Sequence, residues 1–193
     1  MSATQSIAWE LAMKTRIAPA QPPYAATIKE SFDRLMPKGV APLLLFTTLA
    51  RDQRLFERFR RGALLDAGHL TLRQRELVIN RTTALCGSEY EWGVHVAFFA
   101  GQAGFSEEQI AATSKAGGAD PSWSDQERVL LAVCEQLHQT CDIDEQNWQA
   151  LQQSFSDEAI LEILMLAGYY RTISYITNAL RLPLEPFAAR FPR

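Results

Sequence analysis

The sequence predicts an all-α protein. Apolar residues recur at helical spacing in most segments, three Ser/Thr-x-x-Glu/Gln start signals precede such runs, and almost nothing alternates as a strand would. These signals divide the chain into about eight helices with short breaks.

The elements follow in order. Residues 1–22 read as irregular or peripheral and end in APAQPP. Pro22 and Pro23 suit a helix start, and the helix carrying ESFDRLM runs to Pro37. Leu43–Ala50 and Gln53–Asp66 read as two further helical pieces, with Gly68 as a stop. Thr71 and Gln74 have capping-box spacing, so a helix begins near Leu72 and ends at the Gly87–Ser88 break. A second helix covers about Ser88 to Gln102. Ser106 and Gln109 cap a short helix, and KAGGADPSW, Lys115 to Trp123, reads as a linker. Ser124 and Glu127 open a helix to about Thr140, with Val129, Leu130, Val133 and Leu137 as its apolar stripe. Asp144 opens a shorter helix carrying Trp148 and Leu151. Ser156 opens the last and longest, through Ile160, Leu164, Tyr169, Ile173, Ile176 and Leu180, until LPLEP ends it. This last helix is apolar around much of its circumference, which predicts a central position or a subunit interface; Gly168 suits close helix approach. The whole of 1–193 is expected to be one helical domain, with a core motif at 71–113, the linker at 115–123 and C-terminal helices over 124–182.

Chemistry concentrates at the Gly87–Ser88 break. Glu76, Asn80 and Thr83 share one face of the helix before it. Ser88, Glu91 and His95 share one face of the helix after it. A short break makes the two helices antiparallel neighbours, so Glu76 can reach His95. An imidazole titrates near neutral pH, and carboxylates beside it fix its tautomer and favour its charged form. Such a set suits proton transfer at a carbon next to a carbonyl, or protonation of an enolate after carbon dioxide leaves. Spacing alone equally allows a histidine satisfied within the core, or a surface Glu–His helix pair.

The stretch RELVINRTTALCGSEYEWGVHVAFFAGQAGFSEEQI resembles the core motif of the carboxymuconolactone decarboxylase family. The resemblance rests on Arg75 and Glu76, on Tyr90, Glu91, Trp92 and His95, and on Gly104 with Glu107–Glu108. It implies an alkylhydroperoxidase D-like helical bundle, with His95 as the proton-transfer residue and Glu76 and Glu91 as its partner acids. Tyr90, Ser88, Asn80 and Tyr169 are candidates for the substrate pocket, and Tyr170 and Asn178 are further polar tips on the last helix. Alkylhydroperoxidase D-like enzymes of the same superfamily carry a C-x-x-C pair ahead of the histidine. Ser88 and Glu91 stand at those positions here, and Cys86 falls two residues too early, without a near partner. A dithiol peroxidase needs one cysteine to attack and another to resolve, and neither serine nor glutamate does either.

Composition bounds the remaining possibilities. Apolar content of 47% and charged content of 21% are ordinary for a soluble globular protein. A net charge of −3 gives no electrostatic case for nucleic acid or an anionic membrane. The one basic cluster, Arg51, Arg54, Arg58, Arg60 and Arg61, reads as a solvated face or an oligomer contact in preference to an anion site. Cys86, Cys134 and Cys141 are too few and too scattered for a disulfide framework and fit a reducing cytoplasm. His69, His95 and His138 form no ligand motif, so no metal is expected, and no cofactor either. The N-terminus lacks a signal-peptide pattern, and no apolar run approaches a membrane span. The expected partners are a small-molecule substrate and further copies of the chain.

Three functional readings follow. The first is a decarboxylase-like lyase acting without cofactor on a small carboxylated lactone or keto-acid-like molecule, whose own carbonyl takes the electrons. The second is a peroxide-handling protein using Cys86. The third is a non-catalytic helical oligomer in which His95 is structural.

Overall fold

The computed structural model describes residues 15–115 and 120–192. Residues 1–14, residues 116–119 of the expected linker and residue 193 lie outside the described residues. Among those described, nine helices and no strands occur: α1 (Ala26–Leu35), α2 (Leu44–Leu49), α3 (Gln53–Gly62), α4 (Leu72–Leu85), α5 (Glu89–Phe99), α6 (Glu107–Ser114), α7 (Asp125–Thr140), α8 (Glu145–Ser154) and α9 (Asp157–Leu180). None is long and apolar enough to cross a membrane.

Local chemistry explains the helix starts. Thr71 with Gln74, Ser106 with Gln109, and Ser124 with Glu127 each form the reciprocal capping box, satisfying two otherwise orphaned donors. Asp52, Ser88, Asp144 and Ser156 accept from the first-turn backbone of α3, α5, α8 and α9. Three boundaries depart from expectation: α1 starts at Ala26, after Pro22 and Pro23, α5 ends at Phe99, short of Gln102, and α3 stops at Gly62, short of Asp66. Leu64 takes a φ of 49°, which no α-helix continues through, so the turn belongs to 63–66 and Gly68 is not the stop.

The core is organised around α4, which packs against α5, α6, α7 and α9. Every residue from Glu76 to Thr83 is buried, so α4 is sealed all round along its middle. Its neighbour α7 runs parallel to it, since Arg73–Glu127, Arg81–Glu135 and Cys86–His138 contacts advance together along both helices. Gly87, at φ +65°, reverses the chain after α4, and α5 returns alongside it. The last helix is not sealed in the same way. Leu161, Met165 and Tyr175 of α9 are 58–63% exposed. Gly168 has no neighbour that a side chain would meet, so it serves no close approach.

After α9 the chain folds back over α5. Ala189 donates its backbone N–H to the Gly93 carbonyl, and a Cβ at Gly93 would lie 2.2 Å from the Ala189 oxygen. Glu185 accepts from the Leu44 N–H and the Tyr90 hydroxyl, Phe191 donates to Glu89, and its ring packs on Trp92.

Candidate active site

The α4–α5 reversal brings Glu76, Glu91 and His95 together. His95 Nδ1 lies 2.8 Å from Glu76 Oε2, and Nε2 lies 3.5 Å from Glu91 Oε1. All three side chains are buried. Burial disfavours the imidazolium, but the charge and hydrogen bond of Glu76, with help from Glu91, outweigh it and raise the His95 pKa to about 9. His95 is therefore cationic at neutral pH. Arg75 stands behind the pair: its Nε is 3.7 Å from Glu76 Oε1, and its guanidinium donates to the Leu65 and Asp66 carbonyls. Tyr170 stands edge-on to the His95 ring at 5.0 Å, and Phe99 lies 5.3 Å away.

A cavity of about 710 Å³ opens beside this group. Glu91 and His95 line it, whereas Glu76 lies behind, on the Nδ1 side. Aromatic walls come from Phe46, Phe59, Phe98, Phe99, Tyr169 and Tyr170. The Glu91 Oε2 oxygen is buried and, among the described residues, has no hydrogen-bond partner. Burial, with Glu91 adding to it, pushes the pKa of both tyrosine hydroxyls up and keeps them neutral. The Tyr169 hydroxyl is already committed, donating to the Phe59 carbonyl at 2.5 Å.

The other pocket candidates fall elsewhere. Tyr169 borders the cavity, but Tyr90, Ser88 and Asn80 do not. The Tyr90 hydroxyl donates to Glu185 at 2.5 Å and accepts from Leu45 N–H, tying α5 to α2 and the C-terminal segment. Ser88 caps α5 and exchanges a hydrogen bond with Thr177 of α9. Asn80 is buried within α4 with its Oδ1 unpartnered among the described residues. Asn178 donates to the Cys86 carbonyl. Cys86 is absent from the cavity. It lines a separate one of about 180 Å³ with Cys134, Cys141 and His138, its Sγ 3.8 Å from His138 Nδ1. Among the described residues no group of three His, Cys, Asp or Glu side chains is placed to hold a metal ion.

Of the basic cluster, Arg51, Arg54, Arg58 and Arg61 are exposed, as a solvated face requires, and Arg60 is half-buried. Arg60 and Arg61 also border the cavity, together with Arg34 of α1. Helical spacing does not say which neighbours the end of α3 meets, so it held no sign of this.

Residues 53–136 match the model of the Carboxymuconolactone decarboxylase family. The match covers less than half of the chain and is a likeness of that segment to the family. It runs from the start of α3 through most of α7 and so contains Glu76, Glu91 and His95, while Tyr169 and Tyr170 of the cavity wall lie beyond it. No curated protein matches the sequence significantly. Solved structures share the fold. An uncharacterized peroxidase-related protein from Silicibacter sp. TM1040 superposes with a TM-score of 0.77 at 15% identity, over 90% of this chain and 93% of that one. The alkylhydroperoxidase AhpD core of an uncharacterized peroxidase-related protein from Ralstonia eutropha JMP134 gives 0.70 at 15%, over 89% and 93%. The debrominase Bmp8 gives 0.70 at 16%, over 90% and 94%. At these identities the likeness is one of fold.

Proposed function

We propose that the protein is a cofactor-independent lyase that removes carbon dioxide from a carboxylated lactone or keto-acid-like molecule, with His95 delivering the replacing proton. The observation that carries this reading is the buried Glu76–His95 pair, which keeps the imidazole charged beside a largely apolar cavity. The bond from the α-carbon to the carboxylate breaks, and its electron pair enters the neighbouring carbonyl as an enolate. His95 Nε2, the nitrogen not held by Glu76, gives its proton to that carbon, and the neutral imidazole regains one from water. Glu76 holds the ring and its charge throughout. Glu91, with one free oxygen at the cavity wall, positions the substrate or the water that returns the proton. The family match over 53–136 supports the reaction class. Self-association belongs to the same reading, supported by the exposed Leu161, Met165 and Tyr175 of α9, and a reducing cytoplasmic setting is supported by three free thiols.

The test is carbon dioxide release from carboxymuconolactone and from a set of β-keto acids, with wild type and His95→Gln in parallel. Turnover lost in the variant supports the reading. Turnover equal in both overturns the role of His95, and none on any of these acids overturns the decarboxylase reading.

Peroxide handling through Cys86 has one observation in its favour, the Cys86–His138 contact. Two others oppose it: burial pushes the Cys86 thiol up, and burial with Arg171 and Arg81 nearby pulls His138 down, so neither group is poised to make a thiolate. Peroxide consumption abolished by Cys86→Ser would reinstate it.

A further inference from the structure

The cavity is larger and more apolar than a small lactone acid needs. At about 710 Å³ it falls in the range that takes drug-sized ligands. Its long wall is a run of ring contacts: His95 to Tyr170 at 5.0 Å, Tyr170 to Tyr169 at 5.4 Å, and Tyr169 to Phe59 at 6.0 Å. Arg60 follows Phe59 directly in the chain. Arg60 and His95 thus border one cavity, with Phe59, Tyr169 and Tyr170 also in its lining.

Arg60 is the arginine with an unmet requirement. The residue is half-buried, but its Nε is buried and, among the described residues, has no hydrogen-bond partner, and its guanidinium makes no ion pair there. A buried charged donor left unpaired is costly, so such groups point to a missing acceptor. Arg34 and Arg61 add positive charge to the same lining; Arg34 is shared with Glu30 at 3.4 Å. Asp66 is the acidic group on this side of the cavity, yet it forms no ion pair with any of the three.

We propose that Arg60 binds the carboxylate of an amphipathic ligand whose apolar body, of aromatic-bicycle size or more, lies along Tyr169 and Tyr170 toward His95. This rests on the lyase reading only for what happens at the His95 end. Under that reading the carboxylate on Arg60 is retained, because a guanidinium fork stabilises the anion it holds and so opposes its loss. The group lost is a second one, placed beside His95. The substrate class is then an apolar carboxylate with its reacting keto-acid group remote from the retained anion.

The test is binding, without turnover. Calorimetric titration of the whole protein with 2-naphthoate, 2-naphthylmethanol and acetate separates charge from bulk. Expected is 2-naphthoate tighter than both others by about tenfold or more, in keeping with a desolvated charge-assisted pair. Arg60→Gln should bring the acid down to the alcohol's affinity, Arg60→Lys should restore part of the difference, and Arg58→Gln, on the same helix but outside the cavity, should leave it in place. Far-UV circular dichroism and thermal melting check that each variant folds. Equal binding of acid and alcohol, or an acid preference that survives Arg60→Gln, overturns the proposal. Acid-selective binding without any decarboxylation would keep it and sink the lyase reading instead.

Discussion

Glu76 Oε2 lies 2.8 Å from His95 Nδ1, and both side chains are shut away from solvent. At that separation and depth the carboxylate and the imidazole behave as one electrostatic unit, and changing either changes what the other does.

Glu76→Gln removes the strongest influence holding the His95 proton, leaving burial opposed by Glu91 alone. The alkaline limb of the pH–rate profile is expected to move toward neutrality by about one unit or more. His95→Gln removes the proton donor itself and should lower kcat by about a hundredfold or more at every pH. Rate profiles of the two variants against wild type distinguish a tuned acid from a merely structural histidine. An unmoved limb in Glu76→Gln would remove Glu76 from the mechanism.

The same pair sets a pH dependence of stability. An unperturbed histidine titrates at 6.5 and folded His95 at about 9, so the folded chain holds the proton more tightly. The stabilisation is fully present below 6.5 and is lost as pH rises through about 9. Urea midpoints of wild type and His95→Gln should therefore differ more near about pH 6 than near about pH 10. A gap that is constant across this range would contradict the shift.

Tyr90 illustrates a polar tip whose work is architectural. Tyr90→Phe leaves the Leu45 N–H and the buried Glu185 carboxylate each short of a partner. Burial already raises the Glu185 pKa against the pull of Tyr90 and Leu44. A loss of about 1–3 kcal/mol in stability is expected from urea unfolding, with KM unchanged because the ring does not border the cavity.

Gly93→Ala places a methyl group against the Ala189 carbonyl. The obstacle is backbone, so one of the two segments must move, at about 1–3 kcal/mol. Thermal melting measures it; an unaltered Tm would mean that the C-terminal segment gives way freely.

Much of this was legible because it is local. A capping box is written within four consecutive residues, and the pairing of Glu91 with His95 is one helical turn, so both survive any arrangement of the rest. The meeting of Glu76 and His95 needed only the reversal at Gly87. What spacing does not encode is which neighbour a helical face meets. Ser88 and Glu91 share a face, yet Ser88 turns to Thr177 and Glu91 to the cavity. Arg60 and Arg61 border the cavity through the packing of α3 against the rest of the chain, and α3 itself stops short where Leu64 takes a left-handed φ, which nothing in that residue's type foretells. Glu185 sits between prolines in a segment with no periodicity, and only the folded chain reveals it beneath Tyr90.

The return of 185–191 over α5 has a practical side. Its contacts fall on helices that also wall the cavity, and Phe187 packs at 5.1 Å on the cavity residue Phe98. A ligand that meets Phe98 and binds the seated form more tightly than the lifted one would hold this segment down. Resistance of the last residues to carboxypeptidase should rise as ligand is added. Digestion kinetics would then report occupancy for molecules that bind without reacting, and compounds could be ranked before any substrate is in hand.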